Sequence, residues 1–122
     1  MKSTLIIAVL IFSLSAFAES LRFETLGYTA ETSWSVAPEI SQEAVMNLVV
    51  RDEQGNAVNA GIPYVELYMP EMDHGSVPAS LERVPGGYTV KNLWFLMSGI
   101  WEVRLTLKRN GESETQVFNV TL

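Results

Sequence analysis

Apolar and polar residues alternate strictly through Trp101-Glu102-Val103-Arg104-Leu105-Thr106-Leu107-Lys108. A period of two gives a strand one buried face and one wet face. Asn110-Gly111 follows, a pair favoured in tight hairpin turns because both positions tolerate φ > 0. The return strand is predicted over residues 114–122, with Phe118, Val120 and Leu122 inward and Asn119 and Thr121 outward.

Upstream, Met46, Leu48 and Val50 alternate with polar Asn47 and Arg51 before the turn cluster Asp52-Glu53-Gln54-Gly55-Asn56. Val65, Leu67 and Met69 share one face of a predicted strand over residues 64–69, and Tyr64, Glu66 and Tyr68 the other. Leu81 to Val84 forms a short strand before the turn Pro85-Gly86-Gly87, and Tyr88 to Lys91 begins another. Residues 21–36 hold one or two more, since Leu21-Arg22-Phe23-Glu24 and Thr32-Ser33-Trp34-Ser35 both alternate. No stretch carries a helical period. About seven short strands at spacings of roughly 8–12 residues predict an all-β fold, an antiparallel sandwich. Met46, Trp34, Trp94 and Trp101 are expected in its core.

The first residues follow a different rule. Lys2, the apolar run Leu5 to Leu14 and Ala16-Phe17-Ala18 have the three parts of a secretory signal peptide. The apolar run is short of the roughly 20 residues a membrane span needs. The expected organisation is a leader over residues 1–18 and a single domain over 19–122. Export, and the bacterial periplasm in particular, suits a domain with no cysteine, and hence no disulfide. The formal net charge of −6 disfavours nucleic acid and anionic lipid as partners. With no membrane anchor expected after cleavage, the domain reads as free in its compartment.

Enzymatic function finds little footing. There is no thiol nucleophile, no Gly-x-Ser-x-Gly elbow, no phosphate loop and no conspicuous carboxylate pair. The expectation is a protein without catalytic activity.

The stretch that carries chemistry is Met69-Pro70-Glu71-Met72-Asp73-His74-Gly75, which contains the single histidine and two of the five methionines. Thioethers favour Cu(I), and neutral imidazole suits several transition metals. Residues three to five apart in turning backbone can converge on one ion, so Met69, Met72 and His74 form an incomplete ligand set. Met97, before Ser98-Gly99, is a more distant contributor. The competing reading is a plain turn. In it Met69 belongs to the core with Val65 and Leu67, Met97 packs under its loop, and His74 bonds to backbone. Met72, in a loop bounded by Pro and Gly, is expected to be exposed.

Three segments in order resemble the YtkA-like domain family, and FixH-like proteins share the pattern. They are Met69 to Gly75, then Gly87-Tyr88-Thr89-Val90, then Phe95-Leu96-Met97-Ser98-Gly99-Ile100-Trp101-Glu102-Val103. The likeness spans about residues 43–122. It implies an immunoglobulin-like β-sandwich outside the cytoplasm. It further implies copper as the bound ion, a copper-handling or efflux protein as partner, and Met69, Met72, His74 and Met97 as the positions matching the motif. The chain departs from the pattern in its acidic Glu71 and Asp73, and from FixH-like members in lacking their transmembrane helix. The functional expectation is therefore a small exported metal-binding carrier or accessory protein. Its rival is an immunoglobulin-like interaction module that binds no metal.

Overall fold

A computed structural model describes residues 19–72 and 75–122. The leader lies outside the described residues. Among the described residues nine strands occur in chain order: β1 (Glu19–Phe23), β2 (Tyr28–Val36), β3 (Glu43–Arg51), β4 (Tyr64–Tyr68), β5 (Val77–Pro78), β6 (Ser80–Val84), β7 (Gly87–Trp94), β8 (Ile100–Arg109) and β9 (Glu112–Thr121). They make a five-stranded sheet in the order β1-β2-β3-β7-β6 and a four-stranded sheet in the order β5-β4-β8-β9, all pairs antiparallel.

The order has a meaning. Setting β1 aside, β2-β3-β7-β6 facing β5-β4-β8-β9 is the ABED sheet facing the CFG sheet with an added C′ strand, the immunoglobulin arrangement. The expectation of about seven strands falls short of the nine found. Residues 21–36 fall in two strands, β1 and β2, and β5 adds another. Val77–Pro78 is a two-residue strand made by pairing with Glu66 and Leu67, and so short a strand leaves no period to read.

The alternation seen in the chain becomes the core. From one sheet come Phe23, Ala30, Met46, Leu48, Val50, Val90 and Leu93, and from the other Val65, Leu67, Trp101, Val103, Leu105, Leu107 and Phe118. Each large side chain removed from water here is worth about 1.5–3 kcal/mol. Phe95 meets Trp101 edge-on at 5.5 Å and Trp34 at 6.2 Å, so aromatic contacts tie both sheets together at one end. Trp34 is only partly buried against this cluster. Trp94 is not a core residue: it lies on the outward side of β7, 42% exposed, one position after buried Leu93.

Two irregularities flank the same residue of β3. The β2–β3 register slips between Trp34 and Val36, and the β3–β7 register slips between Ala44 and Met46. Val45 thus faces an extra residue on either side. In β7 the extra residue is Asn92, at φ 64, whose amide donates to a Glu43 carboxylate oxygen at 2.7 Å. Bulges of this kind increase local twist and bend a strand. Here they occur where the chain approaches the loops that carry the methionines.

The two ends of the sandwich are built differently. One end, here the turn end, holds the β1–β2 turn, the β3–β4 loop and the hairpin turns Pro85-Gly86 and Asn110-Gly111. Asn110 and Gly111 have φ 53 and 83, as the two-residue hairpin requires. The other end, the methionine end, holds the β2–β3, β4–β5 and β7–β8 connections.

Candidate functional site

The methionine end begins where β4 runs out. Met69 continues the inward face of Val65 and Leu67 and is 5% exposed. Pro70 then stops the strand. The Met72 amide donates to the Met69 carbonyl at 3.0 Å, which closes a four-residue turn with Pro70 in its second position, a place its fixed φ suits. In such a turn the first and fourth Cα atoms lie within about 7 Å, so Met69 and Met72 are neighbours in space. Met72 is not the exposed residue expected from its loop: it is half-buried and packs against the core. Closing the turn folds it back onto the sandwich.

The turn is seated on Gly99. This glycine has φ +136, and a side chain there would run into the Met69 methyl group. The Glu71 carboxylate lies against the same spot, 3.5 Å from where a Cβ would stand. The φ of +136 suits glycine, and the absence of a Cβ lets the Met69 methyl group rest directly on its backbone. Gly99 is further pinned to Leu122 by two backbone hydrogen bonds of 2.8 and 3.0 Å.

Two residues before Gly99, Met97 is held by its backbone, whose carbonyl accepts the Trp101 indole N–H at 3.0 Å. Its side chain is 38% exposed, so it does not pack under the loop as expected. Ser41 donates its amide to the Phe95 carbonyl at 2.8 Å, which lays the β2–β3 loop alongside.

The structure thus brings Met69 and Met72 together in one turn, and sets that turn on the glycine next to Met97. His74 and Asp73 lie outside the described residues. Met46 is fully buried at mid-strand, as expected of a core residue. Among the described residues no three His, Cys, Asp or Glu side chains converge; what this end gathers is thioether.

The charge around the site is one-sided. Glu39, Glu43 and Glu71 are exposed at this end, and among the described residues no Lys or Arg stands in its loops. Within the neighbouring strands Lys91 is paired with Glu82 at 3.0 Å and Arg104 with Glu102 at 2.9 Å. Sequence reasoning did not single out Ile40, Leu96 and Ile100, which are exposed at this same end. The signal was available for Ile40, an apolar residue within the polar loop Glu39-Ile40-Ser41-Gln42.

An immunoglobulin-like sandwich with a methionine turn seated on a glycine of the facing loop defines the class. Over residues 27–106 the chain matches the YtkA-like family model, and it belongs to that family. The matched span runs from the start of β2 into β8 and includes the whole stretch from Met69 to Gly99. Curated proteins and solved structures give no match to the chain.

Proposed function

We propose that this protein is an exported, non-catalytic carrier or accessory protein that binds a metal ion, copper before others, at the methionine end. The observation that carries the reading is the seating of the Met69-to-Met72 turn on Gly99 beside Met97. Soft sulfur donors select Cu(I) among the common biological ions. The acidic, cation-free surroundings favour arrival of a positive ion. In this reading Met72 and Met97 are the thioether donors and His74 supplies an imidazole. Met69, packed in the core, supports the turn from beneath. The leader sequence supports action outside the cytoplasm, and a copper-handling or efflux protein is the expected source or recipient of the ion. No helix among the described residues is long and apolar enough to cross a membrane.

The test is titration of the purified protein with Cu(I) and Cu(II) against a competing chelator. Met72→Leu and Met97→Leu should weaken Cu(I) selectively, because a thioether serves mainly the softer ion. His74→Ala should weaken both. Affinity should fall as pH drops through the ordinary imidazole range, since only the neutral ring ligates. Equal affinities in the wild type and all three variants would refute the site.

A further inference from the structure

We propose that the methionine end is also a docking surface for a partner protein whose contact face has an apolar centre ringed by lysines or arginines. Val36, Ile40, Trp94, Leu96, Met97 and Ile100 surround this end and are all between 38% and 61% exposed. Their proximity follows from the fold. Leu96 and Met97 lie in the short connection between β7 and β8, inner strands of the two sheets, and Trp94 and Ile100 flank it as the last residue of β7 and the first of β8. The Ser41-to-Phe95 hydrogen bond holds the loop of Ile40 against that connection.

The fold turns these positions outward but does not require them to be apolar. Buried Phe95 and Trp101 bracket the loop and consume its inward directions, and the apolar residues between them are turned to water. Single exposed apolar side chains are ordinary, but Ile40, Leu96 and Met97, gathered on two loops joined by a hydrogen bond and rimmed by glutamates, mark an interaction site.

The charge distribution chooses among occupants. The rim carries Glu39, Glu43 and Glu71 and, among the described residues, no Lys or Arg. A second copy of this chain would bring like charges together. A membrane with anionic headgroups would be repelled for the same reason. A protein face with basic residues around an apolar centre satisfies both features, because charge complementarity at the rim steers encounter while the apolar centre supplies affinity. At the opposite end Ile62, Tyr64 and Val84 are exposed too. They stand among Arg51, Arg83 and Arg109, whose guanidinium groups bond loop carbonyls, so the acidic apolar surface is particular to the methionine end. Variable domains of antibodies bind through the B–C, C′–C″ and F–G loops. The loops here are the A–B, C–C′ and E–F connections, at the other end of the same fold.

The experiment uses chelator-treated protein, so its outcome is independent of the copper reading. The probe is a synthetic amphipathic peptide of leucine and lysine, with two comparators: the same peptide with glutamate for lysine, and vesicles of phosphatidylglycerol and phosphatidylcholine. Amide chemical shifts report the footprint, and titration of labelled peptide the affinity. The lysine peptide should perturb residues 36–42 and 95–100 and bind more weakly as salt rises. The double variant Ile40→Ser/Leu96→Ser should lose about tenfold or more in affinity, as removal of central anchors does. Both side chains are exposed, so the fold should survive. Glu39→Lys/Glu71→Lys should weaken binding and flatten its salt dependence, and Ile62→Ser should change nothing. Equal binding of the glutamate peptide, a footprint elsewhere, unchanged affinity in Ile40→Ser/Leu96→Ser, preferential vesicle binding, or self-association through these loops would each overturn the proposal.

Discussion

The turn end and the methionine end close the same pair of sheets by opposite means. At the turn end, side chains satisfy the backbone. Glu114 accepts the amides of Thr25 and Leu26 at 3.0 and 3.2 Å. Arg109 donates to the Leu26 carbonyl at 2.9 Å and lies over the Tyr28 ring. Asp52 accepts two amides of its own loop. Tyr88, buried, accepts the Ala60 amide and donates to the Gly61 carbonyl. At the methionine end the loops are tied mostly backbone to backbone, through Ser41 with Phe95, Met72 with Met69 and Gly99 with Leu122, and their apolar side chains are left outside. Polar side chains spent on local backbone are not available to a ligand. Loops held by their own backbone leave thioethers and apolar groups free to meet one. The end with fewer side-chain caps is the one to which we assign recognition.

The sharpest way to break this comparison is to remove the post on which the methionine end stands. Trp101 is 8% exposed, packs edge-on against Phe95 and donates its indole to Met97. Trp101→Ala should cost about 3–5 kcal/mol in chemical denaturation, from lost burial and the cavity left behind. A change below about 1 kcal/mol, within the ordinary range of surface substitutions, would mean the indole does not hold this end together.

Next in size is Gly99→Ala. The substitution forces a side chain into a φ of +136 and against Met69, and should cost about 1–3 kcal/mol. Its sharper readout is local: the signals of the Met69 and Met72 methyl groups should shift, while those of Tyr28 and Tyr88 at the turn end stay in place. Uniform shifts across the domain would refute the separate seating of the methionine turn.

Smaller still is Glu114→Ala at the turn end. It removes the acceptor of two amides and should cost about 1.5 kcal/mol, the low end for bonds to a charged group because the site is partly solvated. Copper affinity should be unchanged. A drop in affinity would show that the two ends are coupled.

The smallest stability effect is expected for Met97→Leu, within about 0.5 kcal/mol, since a volume-conserving change at a half-exposed position disturbs little packing. Cu(I) affinity should nevertheless fall. A stability loss without an affinity loss would reverse the reading of Met97 and make it a structural residue.

How much of this was legible in the chain depended on how local the cause was. Strand β8 and its hairpin could be read because a period of two and an Asn-Gly turn are set by residues a few positions apart, and Trp101, Val103, Leu105 and Leu107 are all buried. Met69 could be read as a core residue for the same reason. Trp94 could not. The bulge at Asn92 shifts the phase of β7, so Leu93 and not its neighbour points inward, and the bulge is fixed by pairing with β3, about fifty residues away in sequence. Met72 and Met97 exchanged their expected environments, and neither has a period that records its placing. Met72 is folded back by its turn on Gly99, and Met97 stands outward in the connection between buried Phe95 and Trp101.

The sequence by itself determined an all-β chain of alternating strands, the places of its hairpins, its acidic character and the residues able to offer sulfur and imidazole. These are properties of single residues and of short-range periodicity. The tertiary structure alone decided which loops share an end, that the methionine turn rests on Gly99, and that the cations are kept away from it. The reason is that antiparallel pairing brings together residues far apart in the chain, and no local period records which strand will be the neighbour.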